Sequence, residues 1–335
     1  MSSDSNIESS AARDPLWWAN PELKHRLETD AAAVLRDRGI NIPAEIPHAV
    51  VHEFVRVTHL LWVEGRITPI DRFYIDPADE GLLFGRGVWE STRTVNGEPW
   101  LWSLHIDRLR RTSQLLNMEV PLARLPDNKQ VAEFVLGLTR QDVVIRLNAS
   151  AGRPGKPGLV WMSAAPIPYY PASVRLQTST NPVQKGQAYL TLKTFQYATR
   201  LRMGQQATQG GFDTALVVDT EGNLQEAAHA NLFVRFADGW ATPKADGGLL
   251  PGTVRQVLIE KSPLPIQEMV IPRSRIGEIR EAFVTNSNIG IVPVTKIDSH
   301  EFAIGAETQK LMRWLGPKQG TGPQYRFVDR GLTPR

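Results

Sequence analysis

The sequence predicts a mixed α/β protein of two domains with a helical N-terminal extension. Three observations carry that expectation. At 335 residues the chain is long enough for two ordinary domains, or one domain with a large appendage. Short apolar runs of strand length alternate with helix-spaced patterns from about residue 58 onward, the mark of mixed α/β architecture. Pro166, Pro168 and Pro171 fall within six residues. Proline continues neither a β-ladder nor a helix interior, so this stretch is the interdomain linker candidate. The expected division is an extension over 1–57, a smaller domain over 58–165, a linker over 166–171, a larger domain over 172–315 and a tail over 316–335.

Each element has a local reason. Residues 1–14 are rich in Ser and Asp and are expected to be flexible. Pro21 to Asp37 has helix formers with apolar spacing at Leu23, Leu27, Ala31 or Ala32, and Leu35, and Gly39 stops it. Ile40 to Pro47 reads as a connector, and His48 to Val57 as a second helix or a strand. His59 to Val63 is a strand closed by the turn residues Glu64-Gly65. Gly87 to Val95 is another, closed by Asn96-Gly97 and reopened at Trp100-Leu101-Trp102. Helices are expected over His105–Asn117 and Gln130–Thr139, and a buried strand over Val143–Leu147. Beyond the linker, strands over Val174–Thr178, Thr214–Val218, Leu232–Phe236, Ala282–Thr285 and Ile291–Val294 alternate with helices over Thr191–Ala207, Val254–Lys261 and Glu301–Leu315. The tail from Pro317 is Gly/Pro-rich and expected to be loosely held.

Composition narrows the chemistry. With no cysteine, disulfides, thiolate metal sites and cysteine nucleophiles are excluded together. Thirty-eight Lys and Arg against 35 Asp and Glu leave a formal charge of +3, too small an excess to mark a nucleic-acid partner. There is no apolar run of about 18 residues to span a membrane, and residues 1–14 carry no apolar signal core. The expectation is a soluble, cytoplasmic enzyme with no metal.

Lys193 stands among apolar neighbours in Tyr189-Leu190-Thr191-Leu192-Lys193-Thr194-Phe195. A lone lysine of this kind usually snorkels at the surface, but burial near other cations turns one into a neutral nucleophile. Thirty-three residues on comes Glu226, in Gln225-Glu226-Ala227-Ala228-His229-Ala230-Asn231-Leu232-Phe233, and between them a strand ends in Asp219-Thr220-Glu221-Gly222. Upstream lie Phe84-Gly85-Arg86-Gly87-Val88-Trp89-Glu90-Ser91-Thr92-Arg93 and His105-Ile106-Asp107-Arg108-Leu109. Downstream lie Leu250-Pro251-Gly252-Thr253-Val254-Arg255 and the segment Ala282 to Val294. In this order, the motifs resemble those of the class IV aminotransferases, which include branched-chain and D-amino-acid aminotransferases and aminodeoxychorismate lyase. The resemblance covers about residues 60–300.

That resemblance implies the two-domain fold type IV arrangement, a homodimer, and pyridoxal 5′-phosphate held as a Schiff base by Lys193 in a site between the domains. It implies Glu226 beside the pyridine nitrogen, Arg108 on the phosphate, further cofactor contacts from Tyr197, Thr253, Val254 and Ser287, and Trp89 and Glu90 facing the substrate. For a substrate carboxylate, Arg146 and Arg153 are both candidates, and each could instead be a structural ion pair. The implied reaction moves an amino group between an amino acid or amine and a keto acid, both small molecules. Its alternative is a lyase of the aminodeoxychorismate type. Thr285-Asn286-Ser287-Asn288-Ile289-Gly290 leans toward the lyases, and Glu90 toward the transaminases. An inactive scaffold is a third possibility, which retention of Lys193, Glu226 and Arg108 together disfavours. The sequence departs from the family pattern at Arg86, Trp89 and His229, where an acidic residue, Phe or Tyr, and a small residue are usual.

Overall fold

The computed structural model describes residues 48–118, 120, 122–168, 171–316, 325–328 and 331–334, with the helical positions His25, Thr29, Asp30 and Ala33. Residues 1–14, most of the helix expected over Pro21–Asp37, the connector Ile40–Pro47 and residues 317–324 lie outside the described residues. The chain falls into two compact units, Met1–Tyr169 with Gln319–Arg335, and Tyr170–Lys318.

The first unit is built on a six-stranded antiparallel sheet. Its strands are β1 (Leu60–Val63), β2 (Arg66–Pro69), β3 (Gly87–Val95), β4 (Glu98–Pro99), β5 (Val143–Ser150) and β6 (Val160–Pro166), in the order β2-β1-β6-β5-β3-β4. One face carries Val88, Ile145, Leu147, Ala149 and Met162. Against it pack Val57 of helix α1 (His48–His59), Trp102, Ile106 and Leu109 of α3 (Trp102–Leu115), and Val131, Phe134 and Val135 of α4 (Asn128–Leu138). Burying each such side chain contributes roughly 1.5–3 kcal/mol. The short α2 (Glu80–Phe84) precedes β3. His48 to His59 is a helix, which settles the choice left open there. Trp100-Leu101-Trp102 does not reopen a strand: Trp102 begins α3. Leu101 caps that helix at φ 56° with no side-chain cap, so the start carries none of the Ser, Asp or Asn signal by which a sequence announces one.

The second unit has a nine-stranded sheet. Along its path β12 (Ile266–Met269), β11 (Gly239–Pro243), β10 (Ala230–Phe236), β13 (Glu281–Asn286), β14 (Gly290–Ile297), β7 (Val174–Thr178), β8 (Thr214–Val218) and β9 (Leu224–Ala227) are neighbours, and β15 (His300–Glu301) pairs with β14. Strand β9 also pairs with β10, closing six strands into a ring around Leu176, Leu216, Leu224, Leu232, Val284 and Val294. Alternate residues of β8, Ala215 and Val217, face outward instead and pack on Met203 and Ala207 of helix α6 (Ala198–Gln209). The period-two alternation thus both fills the ring and seats α6. Helices α7 (Thr253–Lys261) and α8 (Ala306–Leu315) complete the unit. The helix expected from Glu301 starts at Ala306. The tail residues 325–328 and 331–334 form an antiparallel pair.

One correction bears on the site. The expected helix Thr191–Ala207 is two pieces, α5 (Ala188–Thr191) and α6, with Lys193 in the non-helical link. Thr194 Oγ1 accepts a bond from the Gln196 N–H at 3.3 Å, and the Tyr197 N–H bonds Phe195 O at 2.8 Å. These local bonds take the groups a continuous helix would use.

Candidate active site

Lys193 is half-buried in the link between α5 and α6. Four residues on, Tyr197 sits at the N-cap of α6, and Arg200 lies one turn further on the same helical face. That face meets the β9–β10 hairpin. Arg200 Nη2 donates to Glu226 Oε1 at 2.6 Å, while the Tyr197 hydroxyl lies 2.8 Å from His229 Nδ1 and the two rings stack at 29°.

Glu226 is 3% exposed. Besides Arg200, its Oε1 accepts from the Leu250 N–H at 3.0 Å and its Oε2 from Asn231 Nδ2 at 3.1 Å. Asn231 stands opposite Glu226 in the β9–β10 ladder and also donates to Leu250 O at 2.8 Å. Burial holds the Glu226 carboxyl above its ordinary value, against the downward pull of the Arg200 charge, the Leu250 N–H and the Lys193 charge. All three bonded partners are donors, and a guanidinium stays charged, so the group sits there as a carboxylate. A carboxylate has about four acceptor positions, which leaves room for one further N–H donor.

The Leu250 loop leads into α7. Gly252 is its N-cap, extended and without a side-chain cap, and a Cβ there would overlap Asn231 Oδ1. Glycine therefore lets the start of α7, with Thr253 and Val254, close up against the Glu226 cluster. Backbone N–H groups at a helix start favour anions. Ser287 is buried in the turn after β13, where Asn286 Oδ1 accepts from the N–H groups of Asn288 and Ile289 at 2.9 and 3.1 Å. Asn286 Nδ2 donates to His229 O at 2.9 Å, tying this turn to the hairpin. One end of the second unit thus gathers Lys193, Tyr197, Glu226, Thr253, Val254 and Ser287.

The profile of the amino-transferase class IV proteins matches residues 87–297. The chain belongs to that family. The class IV enzymes depend on pyridoxal 5′-phosphate, and the donor set fits that group: an amine, a buried carboxylate with acceptor capacity left, and a helix start with a hydroxyl beside it for a phosphate. The chain is similar to aminodeoxychorismate lyase of Bacillus subtilis, 26% identical over 259 residues, 71% of this chain and 87% of that one. It is also similar to D-alanine aminotransferase of Bacillus licheniformis, 22% identical over 256 residues, 72% of this chain and 89% of that one. Its fold matches a branched-chain aminotransferase of Thermoproteus uzoniensis, with a TM-score of 0.70, 23% identity, 78% of this chain and 96% of that chain.

The remaining expected site residues of this class IV enzyme lie in the first unit. Trp89 and Glu90 are adjacent on β3 and so point to opposite faces of the sheet. Glu90 is 0% exposed and corrects the expectation that both face the substrate: it lies on the core side. Its oxygens accept from Arg108 Nε at 2.8 Å and Nη2 at 2.7 Å, and its Oε2 lies 2.7 Å from His105 Nδ1. Burial alone would raise this carboxyl, but the charge and bonds of Arg108, aided by His105, lower it to about 2. On the other face, the Arg146 guanidinium lies 3.8 Å from the Trp89 ring centroid, and its Nε donates to Asn148 Oδ1 at 2.9 Å. Arg153 is engaged at the surface with Asp76 at 2.9 Å. Arg86, in the place of an acidic residue, pairs with Glu80 of α2. Two groups went unread in the sequence, Arg200 and the Leu250 N–H. Only the three-residue spacing from Tyr197 could have pointed to Arg200.

Proposed function

We propose that this class IV enzyme is an aminotransferase in which Lys193 binds the cofactor aldehyde and carries the proton of the reaction. The observation that supports it is the cluster in the second unit, where Lys193 shares one end of the fold with a carboxylate held by three donors. When bound, pyridoxal phosphate supplies an aldehyde that binds amines covalently and a ring that takes up the electron pair left by a departing α-proton. The Lys193 amine removes that proton and returns it. Glu226 holds a proton on the ring nitrogen. Thr253, Val254 and Ser287 bind the phosphate, a role the family resemblance also implies for Arg108, whose guanidinium is fixed by Glu90, itself held by His105. Arg146, backed by Trp89 and Asn148, fits a substrate carboxylate better than Arg153, whose guanidinium is engaged with Asp76.

Borohydride treatment of the loaded enzyme should fix a pyridoxyl group on the peptide containing Lys193. Lys185 is the competitor, and burial lowers it, but Asp246 and Asp219 at 3.2 and 3.4 Å more than offset that and keep it charged. A label on Lys185 would end this reading. Adding an amino donor should bleach the visible band, and a keto acid should restore it. The lyase reading has support in the Bacillus subtilis relative. Release of pyruvate from aminodeoxychorismate, with the band persisting through turnover, would establish it instead.

Glu226→Gln should retain the cofactor and slow turnover on the order of 10²-fold, since the neutral amide no longer favours a proton on the ring nitrogen. Full activity in that variant would remove the role given to Glu226. The reading extends to a cytoplasmic homodimer in amino-acid metabolism. The pairing is supported by Leu82, Leu83 and Phe84, which are 63%, 56% and 64% exposed on α2, an apolar run that a second copy would cover.

A further inference from the structure

His229 occupies the turn between β9 and β10, three residues after Glu226 and two before Asn231. The hairpin that carries the buried carboxylate therefore also carries this imidazole. Its surroundings fix it from several elements. The Tyr197 hydroxyl lies 2.8 Å from Nδ1, and the rings stack with centroids 5.5 Å apart. Its backbone oxygen accepts from Asn286 Nδ2 at the end of β13. Gly204 of α6 lies beside the ring, and a Cβ there would sit in ordinary contact 3.5 Å from Nε2. A second bond, Arg200 to Glu226, joins the same first turn of α6 to the same hairpin.

We propose that His229 is a positioning residue: it holds the Tyr197 hydroxyl and so sets how Tyr197 meets the cofactor beside Lys193. The proposal rests on Tyr197 as a cofactor contact, part of the functional reading above. The geometry shows why a histidine serves here. A small residue in the turn reaches nothing, whereas an imidazole spans to the N-cap of α6 with a ring nitrogen at bonding distance. A neutral ring offers Nδ1 as acceptor or donor according to its tautomer, whereas an imidazolium could only donate. Although its outer edge is open to solvent, partial desolvation and the Arg200 and Lys193 charges hold the imidazole below the ordinary histidine value. The ionisable groups around it are Tyr197 and Arg200 on α6, Lys193 in the link and Glu226 on β9; Asn286 on β13 is neutral.

Two measurements test the pair and its role separately. In cofactor-free protein with ¹⁵N-labelled histidine, the His229 ring, assigned by its loss in His229→Asn, should titrate below the ordinary histidine range. Tyr197→Phe should shift that titration. An unchanged titration in Tyr197→Phe overturns the proposal. In the second measurement, equilibrium dialysis reads the Kd for pyridoxal phosphate. His229→Ala should weaken binding about tenfold, the scale of one lost hydrogen bond. His229→Asn, whose amide places a polar atom near the position of Nδ1, should restore it to within about threefold. The double variant Tyr197→Phe/His229→Ala should bind no more weakly than Tyr197→Phe alone. Additive losses, or equal losses in His229→Ala and His229→Asn, overturn the positioning role. If Tyr197→Phe by itself leaves cofactor binding unchanged, the assignment of Tyr197 fails and the role of His229 falls with it, while the titration still decides whether the pair exists.

Discussion

Lys193→Ala should lower turnover by roughly 10²–10⁴-fold for the lost proton carrier alone, and by more once covalent binding of the cofactor is lost as well. Cofactor should still bind through the phosphate and ring contacts, but borohydride should no longer fix it to the chain. Because Lys193 is half-buried in a link rather than in a helix, the variant should fold like the parent, and its circular dichroism and melting temperature should match. Lys193→Arg should not restore activity, since a guanidinium stays protonated and cannot take up the proton. A small exogenous amine should restore part of it. Turnover persisting in Lys193→Ala, or lost only in Lys185→Ala, would move the chemistry to another residue.

Glu90→Gln should destabilise the first unit by about 3–5 kcal/mol, because it leaves the buried Arg108 without its anion. In a unit of this size that lowers the melting temperature by roughly 10 °C. The same pair sets a pH dependence. The Glu90 carboxyl is held at about 2 from an ordinary value of 4.5, so the folded state prefers it ionised. Its contribution, about 3 kcal/mol, is fully present above the unfolded pKa and is lost as pH falls from about 4.5 toward about 2. Wild-type stability should fall more steeply across that window than Glu90→Gln stability. Adding Arg108→Met to Glu90→Gln should recover much of the loss, yet weaken cofactor retention if Arg108 serves the phosphate. Equal slopes in both proteins would show that Glu90 is not the group that titrates.

The long elements of the fold were legible in the sequence because packing imposes a period on them. The unbroken apolar run within Thr214–Val218 reports a strand buried on both faces, and the helical spacing over Gln130–Thr139 reports one buried face. Strand β9 was not legible. Its four residues Leu224, Gln225, Glu226 and Ala227 are all buried, so a carboxylate and an amide stand where the period requires apolar groups. Their partners come from Arg200, Asn231, Leu250 and Asp219, between five and 26 residues away in the chain. Strands β11 and β12 are short and bounded by loops, and they are strands because β10 and β11 supply their pairing.

By itself the sequence determined the mixed α/β class and the position of Lys193, Glu226 and Arg108 within ordered motifs, since those depend on residue type and spacing alone. Only the tertiary structure decided that Lys193 lies outside the helices, that Trp89 and Glu90 part to opposite faces, and that Arg200 and His229 meet the hairpin. The first turns on local bonds that displace the helical ones, the second on which face of β3 packs against α3, and the third on contacts between distant segments. Local periodicity is set by the free energy of burying one's own side chain, whereas a buried charge is stable only beside a partner, and which partner reaches it is fixed by how the strands and helices pack.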